Sequence, residues 1–413
     1  MNIFINIILA AILLDYLLNL AADYLNVKSL KKDLPKEFDG LYDERKYERS
    51  QEYTKQQTRF GLVSSTLGVA LVLAFWFLGG FNALDQLIRS WDFGVVASGL
   101  VYIAILMLAQ MLVSLPLSLY STFVIEEKYG FNKTTIGTFF GDMAKGILLS
   151  ALLGLPLLAG IIWFFEAFEA NAWLYAWGVA TAFILAVQFI APTWIMPLFN
   201  KFSPLEEGEL RQAIMDYARS VNFPLEGVYI MDGSKRSTKS NAFFTGFGRN
   251  KRIALFDTLV DNHTVPELVA ILAHEIGHYK KKHIQKSMLI SILHLGVMFA
   301  LLQFFLSSER LFDAFFMKQA SVYAGLIFFG MLYAPIEMVL SIFMQYFSRK
   351  NEFEADRFAA ETIEEPKNMV SALKKLSVDN LSNLTPHRFY VFLKYSHPPV
   401  LARINAIREV QKT

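Results

Sequence analysis

Seven apolar stretches, each long enough to cross a bilayer, constrain this chain most: approximately Ile3 to Leu20, Leu62 to Phe81, Val96 to Leu119, Ile147 to Phe165, Trp173 to Ile195, Met288 to Leu306 and Tyr323 to Phe343. A water-soluble core does not need 54% hydrophobic residues, 37 Phe and only 18% charged residues. Lipid-facing surface does, so the expected fold is an α-helical polytopic membrane protein. The first stretch contains Asp15 and lacks a basic leader and a small-residue cleavage site, so it reads as a retained span and not a signal peptide. Asp15, Gln110, Gln188, His294 and Glu337 lie inside the stretches and fit either a hydrated interior or helix-to-helix hydrogen bonding.

Lys and Arg crowd the loop from Asn26 to Arg59 and the segment after Ile195, whereas the Glu166 to Ala172 turn has none and the Phe81 to Val95 loop has only Arg89. The positive-inside rule then puts the N-terminus outside and the C-terminus inside. A net charge of +2, dispersed along the chain, gives no footprint for nucleic acid. The absence of cysteine excludes disulfides, thiolate metal sites and a cysteine nucleophile. Nothing in the sequence sets an oligomeric state. By composition the chain divides into 1–195 with five spans and cytosolic loops, a cytosolic region 196–287, two spans in 288–347, and a cytosolic C-terminal region 348–413. Within the second region, Val228 to Met231, Ser240 to Gly246 and Arg252 to Asp257 read as strands, the last two flanking a turn at Arg249-Asn250.

The run His274-Glu275-Ile276-Gly277-His278 follows this small sheet. HExxH on a helix places both imidazoles about one turn apart on one face, where they reach a single Zn²⁺, with Glu275 about 100° round as general base toward a metal-bound water. Thr264-Val265-Pro266-Glu267 is a capping box with Pro in the first turn, so the motif falls on a helix. A strand ahead of that helix suits a protease, since a sheet edge can hold an extended peptide. One further ligand is needed. The metzincin spacing fails, because Lys281 and Ile284 stand where Gly and His are required. His283 lies off the shared face behind three lysines and reads as a solvated interfacial histidine. Glu352 and Asp356, four apart after the last span, share a helical face: one can bind zinc while the other hydrogen-bonds a ligand imidazole. Glu354 points away from them and reads as a solvated residue.

HEIGH together with SRKNEFEADRFA resembles the integral-membrane gluzincin proteases, in which the first Glu of ExxxD is the third ligand. Further strings narrow the resemblance to the CAAX prenyl protease 1 family: Gly130 to Thr135 (GFNKTT), PLFNKFSPLEEGEL from Pro197, SKRSTKSNAFFTGFG from Ser234, RIALFDTLV from Arg252, and Ser396-His397-Pro398-Pro399. They extend over most of the chain; the N-terminus looks short for the family, so nothing is carried over there. The resemblance implies seven transmembrane helices around a water-filled chamber, with a small α/β gluzincin-like region and one zinc near the cytosolic or nucleoplasmic end. It implies His274, His278 and Glu352 as ligands, which leaves Asp356 as the residue behind them, Glu275 as base, and Asn241 and His397 as contacts to substrate or oxyanion. Asn241 fits that role physically, at the start of the expected edge strand. Arg403 is expected to pair with an acidic group near the site.

The implied reaction removes the last three residues of a prenylated C-terminal C-a-a-X, in some members with a second upstream cut. The implied membrane is the endoplasmic reticulum or inner nuclear membrane in a eukaryote, the plasma or inner membrane in a bacterium. Two other readings remain: a general membrane quality-control metalloprotease, and a transporter or channel with a structural zinc site. Retention of Glu275 argues against the last, since a structural site needs no base.

Overall fold

In the computed structural model, which describes residues 2–245 and 252–410, the chain is mainly helical. The membrane part is built from α1 (Ile3–Lys28), α2 (Glu44–Phe77), α3 (Gly80–Arg89), α4 (Val95–Tyr120), α5 (Ile136–Ala167) and α6 (Ala172–Ile190). Next come β1 (Phe202–Pro204), α7 (Glu209–Ser220), β2 (Gly227–Met231), β3 (Ala242–Thr245), β4 (Arg252–Phe256), α8 (Asp257–Asn262) and α9 (Val265–Lys280). The remainder is α10 (His283–Leu306), α11 (Glu309–Asp313), α12 (Val322–Thr362), α13 (Lys367–Asp379), α14 (Arg388–Lys394) and α15 (Val400–Val410). Among the described residues, seven helices are long and apolar enough to span a membrane, and they match the seven apolar stretches.

Their ends differ from the hydropathy windows for a local reason. A window senses lipid-length apolarity, but a helix continues until something caps it. Asp43 caps α2 by accepting a hydrogen bond from Lys46 N, and Thr135 caps α5 by accepting from Thr138 N, so both helices start well before their apolar segments. The window drawn to Phe81 ends at Phe77, because Gly79 at φ 73° turns the chain and Phe81 belongs to α3. The compositional boundaries at 287/288 and 347/348 fall inside α10 and α12, two unbroken helices.

At one end of the bundle buried side chains of the spans form a floor: Ile8 and Ala11 of α1, Trp76 of α2, Tyr102 and Ile103 of α4, Ile162 and Phe165 of α5, Ala172, Ala176 and Ala180 of α6, Phe299 and Leu302 of α10, and Tyr323, Phe328, Phe329 and Tyr333 of α12. Phe315 and Phe328 stack there with centroids 3.8 Å apart, with Trp76 and Phe81 against Phe315. Buried Asp85 is satisfied by Arg89 Nε at 2.8 Å and Tyr323 Oη at 2.5 Å. A second set is buried at the other end, among them Ala22 and Asn26 of α1, Tyr47 of α2, and Glu352 and Asp356 of α12. Between the two, residues 334–351 of α12 and 284–295 of α10 are not buried, a stretch of about 27 Å along α12 at 1.5 Å per residue. Of the polar residues inside the spans, His294 pairs with Tyr333 Oη at 2.9 Å and Glu337 at 3.3 Å.

At the second end sits the sheet, ordered β1-β2-β4-β3, with β2 and β4 parallel and the outer pairs antiparallel. Sequence patterning identified β2, β3 and β4 to within two residues. It missed β1, three residues long, which pairs Phe202 with Met231. Gly246 and the turn at Arg249-Asn250 lie outside the described residues. Ile253 and Leu255 of β4 pack on Leu268, Leu272 and Ile276 of α9, which wedges α9 between the sheet and α12. β3 is an edge strand and lies next to α9.

Candidate metal centre

The cap of α9 aims the motif. Glu267 Oε2 accepts from Thr264 N at 2.8 Å, completing the capping box, and also receives Lys375 Nζ at 2.7 Å, while Ser371 Oγ donates to Oε1. Burial alone would raise this carboxyl, but Lys375, Ser371 and Thr264 outweigh it and hold the group at about 2.

Three turns along, His274 and His278 project from one face with their Nε2 atoms 3.1 Å apart. Glu352, delivered by α12 and only 5% exposed, lies with Oε1 3.2 Å from His278 Nε2 and Oε2 3.4 Å from His274 Nε2. One atom from each residue falls within 4.8 Å of the others. Among the described residues Glu352 Oε2 is a buried oxygen without a hydrogen-bond partner. Two imidazole nitrogens and an unsatisfied carboxylate oxygen converging in a buried spot match the donor set of a metal such as zinc. The charge balance agrees: burial opposes a cation on His274, yet the Asp356 and Glu352 carboxylates push that imidazole up to about 9.

Behind the three lie further partners. Asp356 Oδ1 is 2.9 Å from His274 Nδ1, and Arg403 of α15 grips Asp356 through Nε at 2.8 Å and Nη2 at 2.7 Å. Arg403 Nη1 also lies 3.5 Å from Glu352 Oε2. Burial raises the Glu275 carboxyl above its ordinary range against the pull of His274 and His278, so this group holds a proton more readily than a solvated glutamate. His397 extends Nε2 to within 3.4 Å of Glu352 Oε1, although most of its side chain is exposed. Asn241 stands just before β3 with its Oδ1 accepting from Ala242 N, and among the described residues no hydrogen bond joins it to the cluster.

Two residues have partners that the sequence did not suggest. His283 is 3% exposed and not solvated: its Nδ1 lies 3.1 Å from His278 Nδ1 and its Nε2 3.1 Å from Glu354 Oε2. Glu354 accordingly faces His283 and is only partly exposed. Glu354 does point away from Glu352 on unbroken α12, as expected, but meets His283 there; the His283 expectation assumed that the helix runs straight on past His278. Instead Lys282 adopts φ 58° between α9 and α10, and the chain folds back onto His278. A lysine carries no Gly or Asn signature for that conformation, so no local signal marked it. Gly277 was also passed over: a Cβ there would lie 3.0 Å from Ala355 Cα, so its absence lets α9 and α12 touch.

A seven-span bundle with an HExxH helix at one end defines a class, the membrane metallopeptidases. The family described as "CAAX prenyl protease N-terminal, five membrane helices" matches residues 23–201, and "Peptidase family M48" matches residues 204–411. A CAAX prenyl protease 1 homolog of Oryza sativa subsp. japonica is 35% identical over 98% of this chain and 97% of its own. A probable CAAX prenyl protease 1 of Schizosaccharomyces pombe is 38% identical over 88% of this chain and 80% of its own. The crystal structure of S. mikatae Ste24p superposes with a TM-score of 0.92 at 32% identity, covering 98% of this chain and 99% of that one. The chain belongs to the CAAX prenyl protease 1 family, within peptidase family M48. It is a multi-pass membrane metalloendopeptidase, which removes the transporter reading.

Proposed function

We propose that this protein is a zinc endopeptidase that cuts after the cysteine of a prenylated C-terminal C-a-a-X sequence, at the cytosolic face of its membrane. The observation that carries this reading is the buried convergence of His274 and His278, on a helix next to the edge strand β3, with Glu352. His274 Nε2, His278 Nε2 and Glu352 would hold the metal, and Asp356, clamped by Arg403, would fix the His274 ring. Zinc, when bound, supplies Lewis-acid polarisation of the scissile carbonyl and makes a water acidic enough for a carboxylate to deprotonate. Glu275 would accept a proton from the attacking water and pass it to the leaving amine nitrogen as the scissile C–N bond breaks. His397 and Asn241 donate to the oxygen on which charge develops, and the outer edge of β3 pairs with the extended tail.

A cavity of about 420 Å³ beside His278 has Ile184, Ile284, Met288 and Ile292 on part of its wall, with Gln188, His283, Ser287, Ser291, Ser348 and Asn351 on the rest, and the apolar part is where an isoprenoid would lie. At about 0.8 kcal/mol per buried CH₂, an isoprenoid there adds ground-state binding. The test compares a farnesylated C-a-a-X peptide with the same peptide without lipid over a concentration series. The expected result is a lower KM for the farnesylated peptide at similar kcat, with a chelator abolishing both reactions. Equal efficiency would instead favour a general membrane quality-control protease.

A further inference from the structure

His274 and His278 are both proposed ligands through Nε2, and a ligand imidazole needs its other nitrogen held. For His274 the holder is Asp356. For His278 the geometry points to His283 and Glu354: we propose that these two are positioning residues that fix the His278 ring for metal, a role that rests on the zinc reading above. Nδ1 of His278 has His283 Nδ1 at 3.1 Å, and Nε2 of His283 has Glu354 Oε2 at 3.1 Å.

The proton positions follow from the chemistry. With Nε2 of His278 directed at the metal, its Nδ1 carries the hydrogen and donates to His283 Nδ1. The remaining hydrogen of His283 is then on Nε2, where it donates to the Glu354 carboxylate. His283 is therefore neutral in one tautomer, and Glu354 is what selects that tautomer. Burial matters here, because with 3% of its surface exposed His283 has little water to replace either partner.

The backbone is shaped for this contact. Were α9 to continue unbroken, a residue five places beyond His278 would sit about 140° round the helix and could not meet it. The αL residue Lys282 reverses the chain between α9 and α10, so the first residue of α10 swings under the ring. Glu354 comes from α12, two residues past Glu352 on the opposite side of that helix. One helix thus supplies a ligand from one side, and from another the anchor for a ligand on α9.

The experiment measures zinc affinity directly, by competition with a chromophoric chelator, and records the visible spectrum of the cobalt-substituted full-length protein. The variants are His283→Leu, His283→Gln and Glu354→Ala, with His278→Ala as reference. His283→Leu should weaken zinc binding by about 10 to 100-fold and shift the cobalt bands, as expected when the partner of a ligand is lost. His283→Gln should recover most of the affinity, since an amide offers one acceptor toward His278 and one donor toward Glu354. Glu354→Ala, on a half-exposed position that tolerates truncation, should weaken binding several-fold and decides the matter if the His283 variants do not fold. Wild-type affinity in His283→Leu or Glu354→Ala would overturn the proposal, as would His283→Gln behaving like His283→Leu. Retention of zinc by His278→Ala is a different outcome: it would remove the ligand assignment itself.

Discussion

Glu267 touches neither metal nor substrate, yet it bears on the site because it fixes where α9 begins. Its carboxyl titrates at about 2 in the folded protein against an ordinary 4.5, so the folded state holds the proton less tightly than the unfolded chain. At about 1.4 kcal/mol per pKa unit, the ion pair and cap contribute roughly 3 kcal/mol. That contribution is complete above pH 4.5 and is lost as the pH falls toward 2. Glu267→Gln should lower the melting temperature of the purified protein at pH 7, and the difference from wild type should shrink as the pH is taken down through 4. A constant difference across that range would show that charge is not what Glu267 contributes. Within the cluster the roles separate by metal content: Glu275→Gln should keep zinc and lose about 10² to 10⁴-fold in kcat, whereas Glu352→Ala should lose zinc as well. The spacing of His274, Glu275 and His278 made these residues legible, because helical periodicity alone puts them on known faces. His283 was not legible, since its position depends on one αL lysine and its partner Glu354 lies 71 residues away on another helix.

Packing between α9 and α12 is the element-scale determinant, since the HExxH pair rides on one helix and Glu352 on the other. Gly277 faces Ala355 with no side chain between them; an added Cβ would sit 3.0 Å from its Cα and 3.1 Å from its carbonyl oxygen, both backbone atoms that cannot rotate away. Gly277→Ala must therefore move the helices apart by a few tenths of an ångström, although Ala favours an isolated helix by about 1 kcal/mol. The expected outcome is zinc affinity at least tenfold weaker, measured by chelator competition, with no ligand altered. Unchanged affinity would mean that the two helices adjust without disturbing the three donor atoms. Lys282 offers a companion test: Lys282→Gly keeps the reversal and should keep zinc, while Lys282→Pro, locked near φ −65°, should lose it. Sequence patterning found the longer strands and the capped start of α9, because each has a local signature. It could not find the helix-on-helix contact, which exists only in the fold, nor the extent of α12, whose composition changes from apolar to charged while its hydrogen bonding continues unbroken.

The whole molecule joins a floor of aromatic and small side chains at one end to a metal centre at the other, and α12 runs the full distance between them. That arrangement has a direction, and charge sets it. Residues 28–59 hold nine Lys and Arg, while the turn between α5 and α6 holds none. Translocating the first segment would carry those charges across the bilayer, so the metal-bearing end should lie in the cytosol. Because the chain contains no cysteine, single introduced thiols report sidedness without background. Glu52→Cys on the helical extension of α2, and Ser90→Cys and Ala170→Cys at the floor end, all lie at exposed positions. In sealed vesicles whose cytosolic face is outward, a membrane-impermeant maleimide should label Glu52→Cys, and should reach Ser90→Cys and Ala170→Cys only after permeabilisation. The reverse pattern would place the metal centre on the side away from the cytosol, where a cytosolic C-a-a-X terminus could not reach it, and the proposed substrate would fall with the orientation.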